Sequence, residues 1–189
     1  VAVAIPEGVR REAECFMAEC RKVSRNVRWV RPEALHLTLL FLGSVADDAM
    51  RRVGDELDRT LADVQPFTVS CRGTGTFPAR GRPRVVWLGI DETADLAAMT
   101  TAVRSTVGCS LPGRDTKKEF RPHLTVGRVR SRPAEPELLR FLENEAERFF
   151  GPIPIRRVSL MESILRPEGA LYRELEGVTL RDRQRAGSA

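Results

Sequence analysis

Apolar positions along this chain change period several times. The run 1–5 reads as a short strand, and Val9, Ala13, Phe16, Met17 and Cys20 then recur at the three-and-four spacing of one helix face. Asp47 and Asp48, acidic residues suited to a helix N-terminus, open a second helical stretch with the stripe Met50, Val53, Leu57, Leu61 and Val64. Leu96, Met99, Val103 and Val107 mark a third helix. A fourth follows the proline-rich stretch 132–136, along Leu138, Leu139, Leu142, Ala146 and Phe149. Residues 67–71 and 84–90 carry strand-forming side chains, joined by a Gly-, Pro- and Arg-rich loop over 72–83. Two last strands are predicted near 153–165 and 171–180. Several neighbouring strands have no helix between them, which favours an α+β fold with antiparallel sheets over a doubly wound parallel one.

Two further strand-like runs, 35–43 and 122–129, contain the only histidines of the chain, and both histidines open the same tripeptide: His36-Leu37-Thr38 and His123-Leu124-Thr125. At average residue usage this repetition is roughly a one in 10⁴ event. Strand side chains alternate between faces, so His36 shares a face with Thr38 while Leu37, Leu39 and Phe41 take the other. The same parity sets His123 with Thr125, opposite Leu124 and Val126. Each strand therefore offers an imidazole and a hydroxyl roughly 7 Å apart, backed by an apolar face.

Imidazole is the side chain that ordinarily changes charge near neutral pH, so a pair can act as one neutral base and one protonated acid. That pair suits the opening of a phosphodiester without metal, with the hydroxyls bonding the phosphoryl oxygens as charge builds up.

With these residues the chain resembles the 2H phosphoesterases, and most closely their bacterial and archaeal RNA 2′,3′-cyclic phosphodiesterase branch, also called 2′-5′ RNA ligases. The resemblance rests on Trp29-Val30-Arg31-Pro32 leading into His36-Leu37-Thr38 and Phe41-Leu42-Gly43, and on Phe120-Arg121-Pro122 leading into the second tripeptide and Gly127-Arg128. Gly75-Thr76-Phe77-Pro78, the stretch Val85-Val86-Trp87-Leu88-Gly89, Ser163-Ile164-Leu165, Gly169 and Tyr172 also fall where that family has similar segments. The resemblance implies a bilobal fold: two antiparallel sheets with outer helices facing across a central cleft, one His-x-Thr strand per lobe. It implies hydrolysis of terminal RNA 2′,3′-cyclic phosphates to 2′-phosphomonoesters with no cofactor, His36 giving a proton to the leaving 3′-oxygen and His123 taking one from water. The residues themselves leave open which histidine does which. The reverse reaction, 2′-5′ RNA ligation, uses the same equipment. A non-catalytic RNA- or nucleotide-binding module is the alternative of another class, although a pure binder has no need of a paired acid and base.

Four other residues are candidates. The family often has an arginine near the phosphate at the position of Arg128, but alternation puts Arg128 opposite His123 unless Gly127 kinks or bulges the strand. Tyr172 resembles a family tyrosine near the cleft mouth and is equally read as a half-buried core ring. Phe77, in a basic loop with Arg80, Arg82 and Arg84, is the better candidate for stacking on a nucleobase, while parity assigns Phe41 to the core.

Composition adds limits. With 189 residues and 42% hydrophobic content, residues 1–180 are expected to form one domain, with 181–189 as a disordered tail. Four scattered cysteines lack zinc-ligand spacing and read as free thiols in a reducing cytoplasm. No apolar stretch approaches membrane-spanning length, so a soluble, cytoplasmic monomer is expected. The net charge of +5 favours an anionic partner such as RNA ends or small cyclic nucleotides, and all but three of the 31 basic residues are arginine, the better bidentate partner for phosphate.

Overall fold

In the computed structural model, which describes residues 1–111, 119–130, 134–166 and 169–182 (without the side chains of 165, 166 and 169), these patterns settle as nine strands and four helices. In chain order they are β1 (Ala2–Ala4), α1 (Glu7–Val23), β2 (Val27–Trp29), β3 (His36–Thr38), α2 (Asp47–Leu61), β4 (Phe67–Phe77) and β5 (Val85–Ile90). Then come α3 (Ala94–Ser110), β6 (His123–Val129), α4 (Pro136–Asn144), β7 (Phe149–Ile155), β8 (Arg157–Arg166) and β9 (Gly169–Thr179). Pro32–Ala34 make a 3-10 turn just before β3.

The strands form two antiparallel sheets, as predicted from neighbouring strands with no helix between them. One has the order β3-β1-β8-β9 and the other β2-β6-β5-β4-β7. Each sheet holds one His-x-Thr strand, β3 in the first and β6 in the second. Neither sheet is continuous in sequence, because the chain passes from one to the other between β1 and β2, β2 and β3, β3 and β4, and β7 and β8.

The helices bury the stripes read from the sequence. Val9, Ala13, Phe16, Met17 and Cys20 of α1 are all buried; this helix packs on β7 and α4, and α4 packs on β4. On the other sheet α2 packs against α3 and β9. Thr93 caps α3 by accepting the Leu96 N–H at 3.2 Å, which satisfies one of the free donors of the first turn. Leu37, Val86, Leu88, Leu124 and Val126 are fully buried, each large aliphatic contributing about 1.5–3 kcal/mol through lost contact with water. No helix among the described residues is long and apolar enough to cross a membrane.

Several elements differ from the sequence expectation. The strand expected over 35–43 stops at Thr38, because the N–H groups of Leu39 and Leu40 both donate to the Val1 carbonyl, at 3.0 and 3.2 Å, and break the alternation. Leu39, Leu40 and Leu42 then turn inward and Phe41 outward, 79% exposed, where parity puts it in the core. β4 continues to Phe77 through the stretch expected as loop, and β2 has no counterpart in the sequence expectation. α4 ends at Asn144, so Phe149 starts a strand, and 153–165 is divided between β7 and β8. Most of the expected tail, 183–189, lies outside the described residues.

Candidate active site

Backbone pairing places small residues beside the two imidazoles. His36 is paired with Ala4 and Thr38 with Ala2 across β1, and His123 with Gly89 across β5. Directly opposed residues share a sheet face, so both His-x-Thr faces are lined by Ala or Gly where the rings stand. β3 and β6 approach within 8 Å (Cα–Cα) of each other, which brings the two tripeptides to one gap between the sheets.

The two rings are held in the same way. Nδ1 of His36 lies 2.8 Å from the carbonyl oxygen of Ala34, and Nδ1 of His123 lies 2.6 Å from that of Arg121. A carbonyl only accepts, so each Nδ1 carries the hydrogen and donates it, leaving Nε2 on the opposite side of the ring to exchange protons. Both imidazoles are half-buried. Burial lowers the pKa of each below its ordinary value by penalising the cation, while the carbonyl bond works in the opposite direction; in His36 the charge of the His123 ring adds to the lowering.

Each imidazole also rests on an aromatic ring. Tyr172 lies 4.3 Å from His36 between ring centroids, and Phe77 meets His123 edge-on at 4.9 Å. Tyr172 arrives on the β8–β9 hairpin, whose register shifts between Leu160 and Met161 so that Leu175 is an extra residue on β9. Phe77 leans in turn on Trp87, at 5.4 Å, a residue with no counterpart among the sequence candidates. Trp87 is the cross-strand partner of both Thr125 and Gly75. A β-carbon at Gly75 would collide with its indole ring, so only glycine lets the ring cover this part of β4.

Arg128 reaches the same face by the route the sequence left conditional. Val86 pairs with Gly127 but Trp87 pairs with Thr125, so β6 holds one residue more than β5 at this point. The bulge leaves Val126 and Gly127 both buried and turns Arg128 outward to the face of His123 and Thr125. Polar groups without an internal partner collect here. Among the described residues the hydroxyls of Thr38 and Thr125 and the guanidinium of Arg128 form no hydrogen bond or ion pair, and the Trp87 Nε1–H is buried without an acceptor. Among the same residues no three of His, Cys, Asp or Glu are grouped to hold a metal, and Cys15, Cys20, Cys71 and Cys109 are free.

Two antiparallel sheets, each contributing a His-x-Thr strand to one gap, define a two-histidine phosphoesterase. The profile of the 2′-5′ RNA ligase superfamily matches residues 9–164, and the chain belongs to that family. An RNA 2′,3′-cyclic phosphodiesterase from Archaeoglobus fulgidus is 37% identical over 175 residues, covering 93% of this chain and 96% of the relative. TT0787 of Thermus thermophilus superimposes with a TM-score of 0.83 at 29% identity, over 97% of both chains. Escherichia coli LigT in complex with 3′-AMP has the same fold, with a TM-score of 0.74 at 22% identity over 96% of both chains.

Proposed function

We propose that this chain hydrolyses the terminal 2′,3′-cyclic phosphate of RNA to a 2′-phosphomonoester by acid–base catalysis between His36 and His123. The observation that carries this reading is the matched pair of imidazoles, each with Nδ1 fixed on a backbone carbonyl and Nε2 left for proton transfer, on strands of opposite sheets. Water attacks the phosphorus in line with the 3′-oxygen and gives its proton to Nε2 of His123. As the P–O3′ bond breaks, Nε2–H of His36 protonates the departing 3′-oxygen, in the assignment that the family resemblance implies. The Thr38 and Thr125 hydroxyls and Arg128 meet the phosphoryl oxygens, where negative charge increases in the transition state. Tyr172 and Phe77 hold the two rings upright and exclude water from one side of each, and Phe77 also offers a face to the terminal base. Acid and base are both side chains, so no step requires a metal.

A short RNA ending in a 2′,3′-cyclic phosphate, incubated with the enzyme in excess chelator, is expected to yield a single product with the phosphate on the 2′-oxygen. A 3′-phosphate, or turnover that disappears with chelation and returns with one metal, would refute the mechanism. A joined 2′-5′ product from an added 5′-hydroxyl RNA would show the reverse reaction to dominate.

The pH profile is an independent check. Activity requires one protonated and one neutral imidazole, and burial lowers both pKa values in the free enzyme from the ordinary 6.5. The optimum of kcat/KM, which reports the free enzyme, is therefore expected on the acid side of 6.5, with activity falling as the remaining imidazolium is lost at higher pH. A bound phosphate anion favours the imidazolium, so both limbs of the kcat profile are expected at higher pH than those of kcat/KM. A kcat/KM that climbs steadily through the whole histidine range would contradict the pairing.

A further inference from the structure

Beyond the reacting phosphate, the five-stranded sheet carries a row of side chains that neither the histidines nor the threonines account for. Arg28 on β2 is directly opposed to Arg128 on β6, Arg128 to Val85 on β5, and Val85 to Phe77 on β4. Directly opposed residues share a face, so these four stand in one line on the face of His123 and Thr125. The parallel row through Thr125, Trp87 and Gly75 is two residues away along β5, roughly 7 Å by strand rise. Both arginines are exposed. Pairing gives the two a common orientation, and the β6 bulge turns that orientation toward the cleft.

We propose that Arg28 binds the phosphodiester on the 5′ side of the terminal nucleotide, so that the cleft prefers the end of an RNA chain to a mononucleotide. This rests on the reading of the cleft as a cyclic phosphodiesterase site. The row has an aromatic ring at one end and two guanidinium groups at the other, so a terminal nucleotide whose base meets Phe77 and whose cyclic phosphate meets Arg128 has Arg28 as the neighbouring cation for the phosphate on its 5′-oxygen. Arg128 stands nearer the histidines. Arg28 is one strand spacing further out, about 4.8 Å, on the strand that forms the sheet edge, where a polynucleotide leaves the cleft. Its planar fork suits two oxygens of one phosphodiester, which a lysine contacts only as a point charge.

The test compares three substrates: a nucleoside 2′,3′-cyclic phosphate, the same compound carrying a 5′-phosphate, and a dinucleotide ending in the cyclic phosphate. Arg28→Ala is expected to lower kcat/KM about tenfold on the dinucleotide and on the 5′-phosphorylated compound, and to leave the plain cyclic nucleotide unchanged. Arg28→Lys should restore part of the loss. On a longer single-stranded RNA ending in the cyclic phosphate, the slope of log kcat/KM against log salt should flatten by about 0.7, the value for one phosphate contact to a single strand. Equal losses on all three substrates would place Arg28 at the reacting phosphate or in the fold, and no loss on any would leave it without a substrate contact; either result overturns the inference. If the wild-type enzyme opens none of the three, the cyclic phosphodiesterase reading itself fails.

Discussion

Replacing His36 or His123 by alanine is expected to lower turnover of an RNA cyclic-phosphate end by about 10²- to 10⁴-fold, the range that a general acid or base supplies. The loss belongs to kcat, since the imidazoles move protons in the transition state and contribute little to holding the ground-state diester. Fold stability should change little, because both rings are half-buried and Leu37 and Leu124 carry the adjoining core. The variant with both histidines replaced is expected to be far more active than the product of the two single losses requires, since acid and base act together. Single-turnover rates on a short RNA, with thermal unfolding as the control, make the measurement. A double variant that retains wild-type turnover would remove the histidines from the mechanism.

Thr38→Ala and Thr125→Ala should follow at about 100-fold each, toward the lower end of what one lost hydrogen-bond donor to a charged transition state costs. Their hydroxyls form no hydrogen bond within the described protein, so substitution removes an interaction with the substrate without leaving a protein group unpaired. Thr→Ser should recover most of the activity and Thr→Val should not. Equal KM and kcat effects for both threonines would be consistent with two donors on one phosphate. A loss for Thr→Ala fully matched by Thr→Ser would point instead to the methyl group and to packing.

Much of this arrangement is legible in the amino-acid order, for reasons that can be named. Period-two alternation assigns faces wherever a strand is regular, so the partnership of His36 with Thr38 and of His123 with Thr125 follows from spacing alone. Helix stripes such as Val9, Ala13, Phe16, Met17 and Cys20 are equally legible, because burial repeats with the helical period. Failures occur where a strand is irregular. Phe41 follows the point where two amides share the Val1 carbonyl and parity misplaces it, whereas Arg128 follows the bulge on which the sequence makes its placement conditional; both outcomes depend on partner strands that are remote in sequence. β2 is three residues long and takes its form from β6, about a hundred positions later, so it carries little signal of its own. Trp87 falls in a family-like segment, but its contact with Phe77 is not legible in the sequence, because the room for its ring is left by Gly75, which shows its purpose only once β4 and β5 are paired.

The repeated passage of the chain between the two sheets governs how the protein acquires its site as it folds. β1 must wait for β8, more than 150 residues later, before the sheet that carries His36 is complete. Contacts between such distant segments incur their loop-closure entropy before they gain stability, so high contact order makes folding slow. During synthesis the strand bearing His36 emerges early yet has no finished sheet to join, while β4, β5, β6 and β7 can assemble around His123 first. On the two-histidine reading, the ability to cut a phosphodiester therefore arrives only with the β8–β9 hairpin, and a nascent chain on the ribosome, surrounded by RNA, holds half of the machinery until that hairpin has emerged.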